Sequence, residues 1–363
     1  MQRIKFLDGL RGIAISLVIL VHAYADYGWV RQKMYPFGDY FFEHVPFVRF
    51  FFLGVQLFFL ISGFVILMTL ENSKSFKEFA LKRWLRLFPA MLVCSLLVYF
   101  TIPLFPLRPY PAPTLGELIP GLLFVEPSWV GKLTHTNQLV LEGSFWTLFV
   151  EVKFYVMFGL MYFFAGWRTA IAMLVALGLL AAGVDFLSSY HLNLPFNIAP
   201  IEAIVHFLSA QHLMWFASGA LFYKYFQNKQ REMLFLALLV GLIASRISFH
   251  GYMREWAFAF CVVLLFASAL VSLRVQKILS SRIIVFMGFI SYPLYLLHEG
   301  MMISMIRSIG KLAPNLPAFL IPLLPITLVV LAAWFIATCL EPKTKNMIKL
   351  MLKINHAKTH VSA

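Results

Sequence analysis

The chain alternates long apolar runs with short polar breaks, and that rhythm is its first constraint. A hydrocarbon core about 30 Å thick needs about 20 apolar residues per helix, and runs of that length recur from end to end. They predict ten spans, near residues 8–27, 47–70, 87–107, 144–165, 168–187, 206–226, 233–250, 255–273, 284–303 and 318–340. Two of the polar breaks are long, Tyr27 to Phe47 and Arg108 to Gln138, and both are rich in Pro, Gly and aromatic residues. That composition predicts folded lids over the outer face rather than flexible linkers. The expected fold class is an all-α polytopic membrane protein of about ten transmembrane helices.

Composition agrees. Of 363 residues, 61% are hydrophobic and 13% charged, with a mean hydropathy of +0.82, which excludes an ordinary soluble domain. The formal charge of +14 does not gather in one patch but lies between the apolar runs, so no nucleic-acid partner is expected. With the N-terminus in the cytoplasm, 19 of the 30 Lys and Arg fall on cytoplasmic segments and 9 outside, with Arg11 and Lys153 inside spans. The positive-inside rule therefore places both termini in the cytoplasm. The first run lacks a small-residue cleavage site and reads as a retained span. Residues 1–342 read as one membrane domain and 343–363 as a short basic cytoplasmic tail. Cys94, Cys261 and Cys339 sit in apolar runs without metal-ligand spacing, so neither a disulfide framework nor a metal is expected.

Ionisable residues inside spans are costly and mark candidate chemistry. In "FLDGLRGIAISLVILVHAY", Arg11 and His22 are eleven residues apart, which on a helix is three turns plus about 20°, placing them on one face about 16 Å apart. Taken alone, Arg11 would be a snorkelling anchor and His22 a packing residue. The fourth span opens "GSFWTLFVEVKFY", with Ser144, Glu151 and Tyr155 on one face. Lys153 points to nearly the opposite side, which leaves Arg11 or a histidine as the expected partner of Glu151. In "GFISYPLYLLHEG", Ser291, Tyr295 and His298 share a face and Pro293 predicts a kink. In "KEFALKRWLRLFPA", Lys82 stands beside Arg83 and Arg86, whose i, i+3 spacing suits bidentate binding of phosphate, although on this segment alone cytoplasmic anchoring is the stronger reading.

Together "LDGLRGIAISLVILVH", "FFLISGFVI", "RWLRLFP", "SFWTLFVEVKFY", "WFASGALFY" and "SYPLYLLH" resemble the membrane acyltransferase family called acyltransferase-3, in the expected order from Phe6 to His298. That family includes bacterial O-acetyltransferases of lipopolysaccharide O-antigens and other exported glycans. Its Arg, ten residues, His signature falls on Arg11 and His22, its arginine pair on Arg83 and Arg86, its span-four glutamate on Glu151, and its Ser-Gly-Phe element on Ser62, Gly63 and Phe64. Some members carry a fused periplasmic esterase-like domain, which this sequence is not expected to have.

The resemblance implies a multi-pass protein of a bacterial inner membrane that moves an acyl group, acetyl by family frequency, from acyl-CoA to a hydroxyl of a glycan or glycolipid. Lys82, Arg83, Arg86 and Arg11 would hold the phosphates of the donor, and His22 would act as general base. Alternatively, His22 or Ser62 would briefly carry the acyl group. Glu151 would position the acceptor hydroxyl or hold the imidazole, with Ser144 and Ser62 on the acceptor side. Tyr295 and His298 would stabilise an oxyanion or shape a tunnel. Trp29, Tyr35, Tyr110 and Trp129 are available to stack on sugars or to anchor at the interface. The bilayer is the one certain partner on composition, and no oligomeric state is implied. A secondary transporter or flippase using the same intramembrane His, Glu and Arg is the alternative class, against which stands the lack of an inverted repeat.

Overall fold

The computed structural model describes residues 4–24, 45, 47–135, 140–189 and 197–360, with backbone alone for 353–360. Among the described residues every regular element is a helix. The principal ones are α1 (Lys5–Tyr24), α2 (Gly54–Glu71), α3 (Phe76–Thr101), α4 (Leu118–Leu123), α5 (Pro127–Thr134), α6 (Trp146–Ser189) and α7 (Ala199–Phe207). They are followed by α8 (Leu213–Asn228), α9 (Arg231–Ser248), α10 (Met253–Val271), α11 (Leu273–Leu279), α12 (Arg282–Leu312), α13 (Leu323–Phe335) and α14 (Glu341–His360).

Seven helical stretches among the described residues are long and apolar enough to cross a bilayer. They cover eight of the expected spans, because α6 holds both the fourth and the fifth, broken at Gly166 (φ 82°) in a backbone conformation that favours glycine. The sixth expected span is α8, which at 16 residues is about 24 Å long and falls short of the hydrocarbon core. The seventh is α9, 18 residues that include Arg231, Glu232 and Arg246. The basic tail is helical too: α14 continues from α13 through a π-helical turn at Ile336–Leu340.

The chain divides into two compact units. The first comprises Met1–Val18, Phe50–Leu81 and Thr147–Gly288. Within it α2 crosses α8 so closely that a Cβ on Gly63 would strike the carbonyl of Phe216 and one on Gly219 the carbonyl of Leu60. With no hydrophobic drive between helices in lipid, small residues that let backbones approach hold such crossings together. Around the crossing Phe154 stacks on Phe216 at 4.1 Å between ring centroids, and Phe64 packs against Tyr223 and Phe266. At the end of α2, Glu71 accepts from Lys224 Nζ (2.5 Å), Tyr223 Oη (3.0 Å) and Gln227 Nε2 (2.6 Å), so the buried lysine is paired.

The second unit comprises Ile19–Arg49, Lys82–Trp146 and Phe289–Ala363. Its core is α12, to which Tyr292 Oη ties α3 through the carbonyl of Leu87 at 3.1 Å. The second long polar break carries helices over its described residues, in keeping with the expectation of a folded segment. A capping box of Thr114 and Glu117 starts a 3₁₀ turn, and α4 and α5 follow. Its root is fastened to α12: Leu107 N–H donates to Ser304 Oγ (3.2 Å), and Arg307 Nη1 donates to the carbonyl of Leu107 (2.6 Å). The first outer loop, with Trp29 and Tyr35, lies outside the described residues except at its end.

Candidate functional site

The second unit brings together the two histidines singled out in the sequence. The rings of His22, at the end of α1, and His298, in α12, meet edge to face, 4.9 Å between centroids and 76° between planes. His22 is half-buried, whereas His298 is fully buried. His298 Nδ1 lies 2.9 Å from the carbonyl oxygen of Tyr295, one helical turn back. A carbonyl only accepts, so Nδ1 carries the proton, and in the neutral ring Nε2 is left as a lone pair. That Nε2 has no hydrogen-bond partner among the described residues. An unmet buried polar atom costs about 1–3 kcal/mol, and His298 Nε2 is one of several such atoms among the described residues.

Tyr295 and Ser144 hold each other. Tyr295 Oη donates to the carbonyl of Ser144 at 3.0 Å, and Ser144 Oγ donates to the carbonyl of Tyr295 at 3.3 Å. In this geometry both fasten the start of the fourth span to α12.

Beside them lies a cluster that the sequence reading missed. Glu299 accepts from the backbone N–H of Ser144 and from Tyr110 Oη. Glu142 accepts from the N–H of Gly300 at 2.7 Å, and Arg108 Nη2 approaches Glu142 at 3.5 Å while donating to the carbonyl of Leu141 at 2.6 Å. The side chains of Arg108 and Glu142 are 6% and 1% exposed. Burial pushes the Glu142 carboxyl up to about 8: loss of water outweighs the attraction of Arg108, and Glu299 adds to the rise. The only signal in the sequence was the Glu-Gly dipeptide, present once as "EGS" and once as "HEG".

A second polar set lies in the first unit. Glu151 accepts from Ser62 Oγ and from Tyr155 Oη, the latter at 2.5 Å. This corrects the expectation of an arginine or histidine partner. Two hydroxyls share Oε1 of the carboxylate, while Arg11 Nη1 pairs with Asp8 at 3.3 Å and Lys153 donates to Ser209 at 3.0 Å. Ser62 and Glu151 are both half-buried. The Ser-Gly-Phe element thus has a physical reading in which Ser62 holds the glutamate, Gly63 permits the helix crossing and Phe64 fills the aromatic core.

Lys82, Arg83 and Arg86 lie near the start of α3. Arg86 is exposed yet engaged, with Nη1 at 3.1 Å from Glu341 and its guanidinium over the ring of Tyr292 at 5.8 Å. Lys82 is exposed and Arg83 half-buried. No group of three His, Cys, Asp or Glu residues able to hold a metal occurs among the described residues.

Helices throughout the described residues, apolar spans, a histidine pair with one ring buried and a basic segment at the third span define a class: multi-pass membrane proteins with polar groups inside their helices. The class narrows because residues 4–339 match the acyltransferase domain family, and the chain belongs to that family. It is similar to an O-acetyl transferase of Shigella phage Sf6, 26% identical over 222 residues, which are 59% of this chain and 64% of the phage protein. The match thus spans under two-thirds of that relative's length. No solved structure matches the chain.

Proposed function

We propose that this chain is an integral membrane O-acyltransferase with ten spans and cytoplasmic termini, in the inner membrane of a bacterium. It moves an acetyl group from cytoplasmic acetyl-CoA to a hydroxyl of an exported glycan or glycolipid. Family membership favours acyl transfer over transport. The observation that carries the chemistry is the His22–His298 pair, in which the more exposed ring stands against a buried one of fixed tautomer.

In this reading His22 Nδ1 or Nε2 takes the proton of the acceptor hydroxyl as its oxygen attacks the thioester carbonyl. The C–O bond forms, the C–S bond breaks, and His22 returns the proton to the departing CoA thiolate. His298 backs the ring and offers its lone pair to the field of the imidazolium as it forms. Lys82, Arg83, Arg86 and Arg11 are proposed to hold the donor's phosphates, with Glu341 leaving Arg86 when the donor binds. Glu151, Ser62 and Ser144 are proposed for the acceptor hydroxyls. No metal has a role.

Transfer of radiolabelled acetyl from acetyl-CoA, in membranes holding matched amounts of wild type and His22→Ala, tests the proposal. Label in a glycan fraction with wild type, reduced about 100-fold in the variant, is expected. Equal labelling would remove His22 from the chemistry, and no use of acetyl-CoA by wild type would remove the donor.

A further inference from the structure

Two Glu-Gly dipeptides face each other in the second unit. Glu142-Gly143 closes the second outer loop, and Glu299-Gly300 follows His298 on α12. Each carboxylate accepts a backbone N–H from the other strand of the contact: Glu142 from Gly300 and Glu299 from Ser144. Each also occupies the space where the other dipeptide's glycine would have carried a side chain. A Cβ on Gly300 would fall 2.5 Å from Glu142 Oε1, and one on Gly143 would fall 2.8 Å from Glu299 Oε1 and into the Tyr110 hydroxyl. The arrangement is reciprocal: each glycine leaves the room that a carboxylate oxygen of the other dipeptide takes up.

The contact is buried and expensive. Glu142 and Glu299 are 0% and 6% exposed, and Arg108 is the cation that stands with them. Burying two carboxyl groups beside an arginine is costly for a contact that closes a loop through two backbone hydrogen bonds. What the contact fixes is the backbone at 299 and 300, immediately after His298, whose buried ring packs on His22 and Tyr295 and is hydrogen-bonded through Nδ1.

We propose that Glu299, with Glu142, Gly143 and Gly300, is a positioning clamp. It uses the folded outer loop to fix the rotation of α12 at His298 and so the seat of His298 against His22. This rests on the acyl-transfer reading for its kinetic consequence but not for its geometric one. Misplacement of a reacting group by about 1 Å costs up to about a hundredfold in rate, so the clamp should act on turnover rather than on donor binding.

The test uses full-length purified chain and two variants that leave His22 and His298 in place. Glu299→Gln keeps one acceptor oxygen where two donors need two, and Gly300→Ala keeps every hydrogen-bonding group but drives a methyl into Glu142. Both are expected to lower kcat for acetyl transfer by about tenfold or more, with KM for acetyl-CoA within about twofold of wild type. In parallel, diethyl pyrocarbonate labelling mapped by mass spectrometry reads the seat of His298 without activity. Wild type should protect His298, and both variants should label it about tenfold faster while the labelling of His250 stays unchanged. Unchanged kcat and unchanged labelling in folded variants would overturn the clamp, even if they melt at lower temperature. If wild type transfers no acetyl, the acyl-transfer reading falls, and the labelling decides the clamp on its own: faster labelling of His298 supports it and equal labelling overturns it.

Discussion

Glu151 and Glu142 are the same residue type, nine residues apart in sequence, yet they are held in opposite ways. Glu151 is half-buried and takes two hydroxyls, from Ser62 and Tyr155. Hydroxyls rotate, so a ligand can replace either without disturbing the backbone. Glu142 is fully buried and takes the N–H of Gly300, a donor that cannot move unless the helix does. The lesson is that the donors around a carboxylate separate exchangeable sites from scaffold. A family resemblance that places a glutamate at 151 finds the first kind and passes over the second.

Replacing both scaffold carboxylates should give the largest break. Glu142→Ala with Glu299→Ala strands Arg108 and two backbone amides, and the detergent-solubilised protein is expected to lose about 3–5 kcal/mol, seen as a large fall in melting temperature. Glu151→Gln is expected to behave oppositely: it should melt close to wild type, within about 1 kcal/mol, while glycan acetylation falls. A Glu151→Gln protein that unfolds with its activity per folded molecule intact would erase the contrast.

The pH dependence of melting sharpens it further. Below the ordinary carboxylate range, Glu142 is protonated in both folded and unfolded chains. From there up to about 8 only the folded chain keeps the proton, so its contribution to stability is full at low pH and is lost as the pH rises through that window. Glu142→Gln, which mimics the protonated acid, should flatten this slope in thermal scans from pH 5 to 8. The smallest effect is expected of Tyr155→Phe, which removes one of two hydroxyl donors and should cost about 0.5 kcal/mol by the same melting assay, with glycan acetylation retained.

Much of the architecture was legible because apolar length is a one-dimensional quantity. Eight of the expected spans coincide with helices able to cross, and the two that do not, α8 and α9, fall short through brevity and charge. The histidines were legible because an ionisable group within an apolar run stands out, although only the fold could join residues 22 and 298. The partner of Glu151 was not legible, since a hydroxyl on another helix leaves no trace in spacing. Nor was the Glu-Gly clamp: Glu142 lies just before the fourth expected span, where a carboxylate reads as solvated, and Glu299 inside the ninth stood in the shadow of His298 beside it. Glycine there reads as a turn, and only the reciprocal contact shows that it makes room for an oxygen.

The account turns on His22 as the group that moves the proton. The most direct measurement is release of CoA thiol from acetyl-CoA by purified wild type, His22→Ala and His298→Ala, each given the same membrane glycan extract and each first shown to melt as a folded protein. The account predicts a loss of about 100-fold or more for His22→Ala and a smaller loss for His298→Ala, because His298 only backs the reacting ring. Wild-type turnover by His22→Ala alongside an inactive His298→Ala would contradict it and make the buried ring the base.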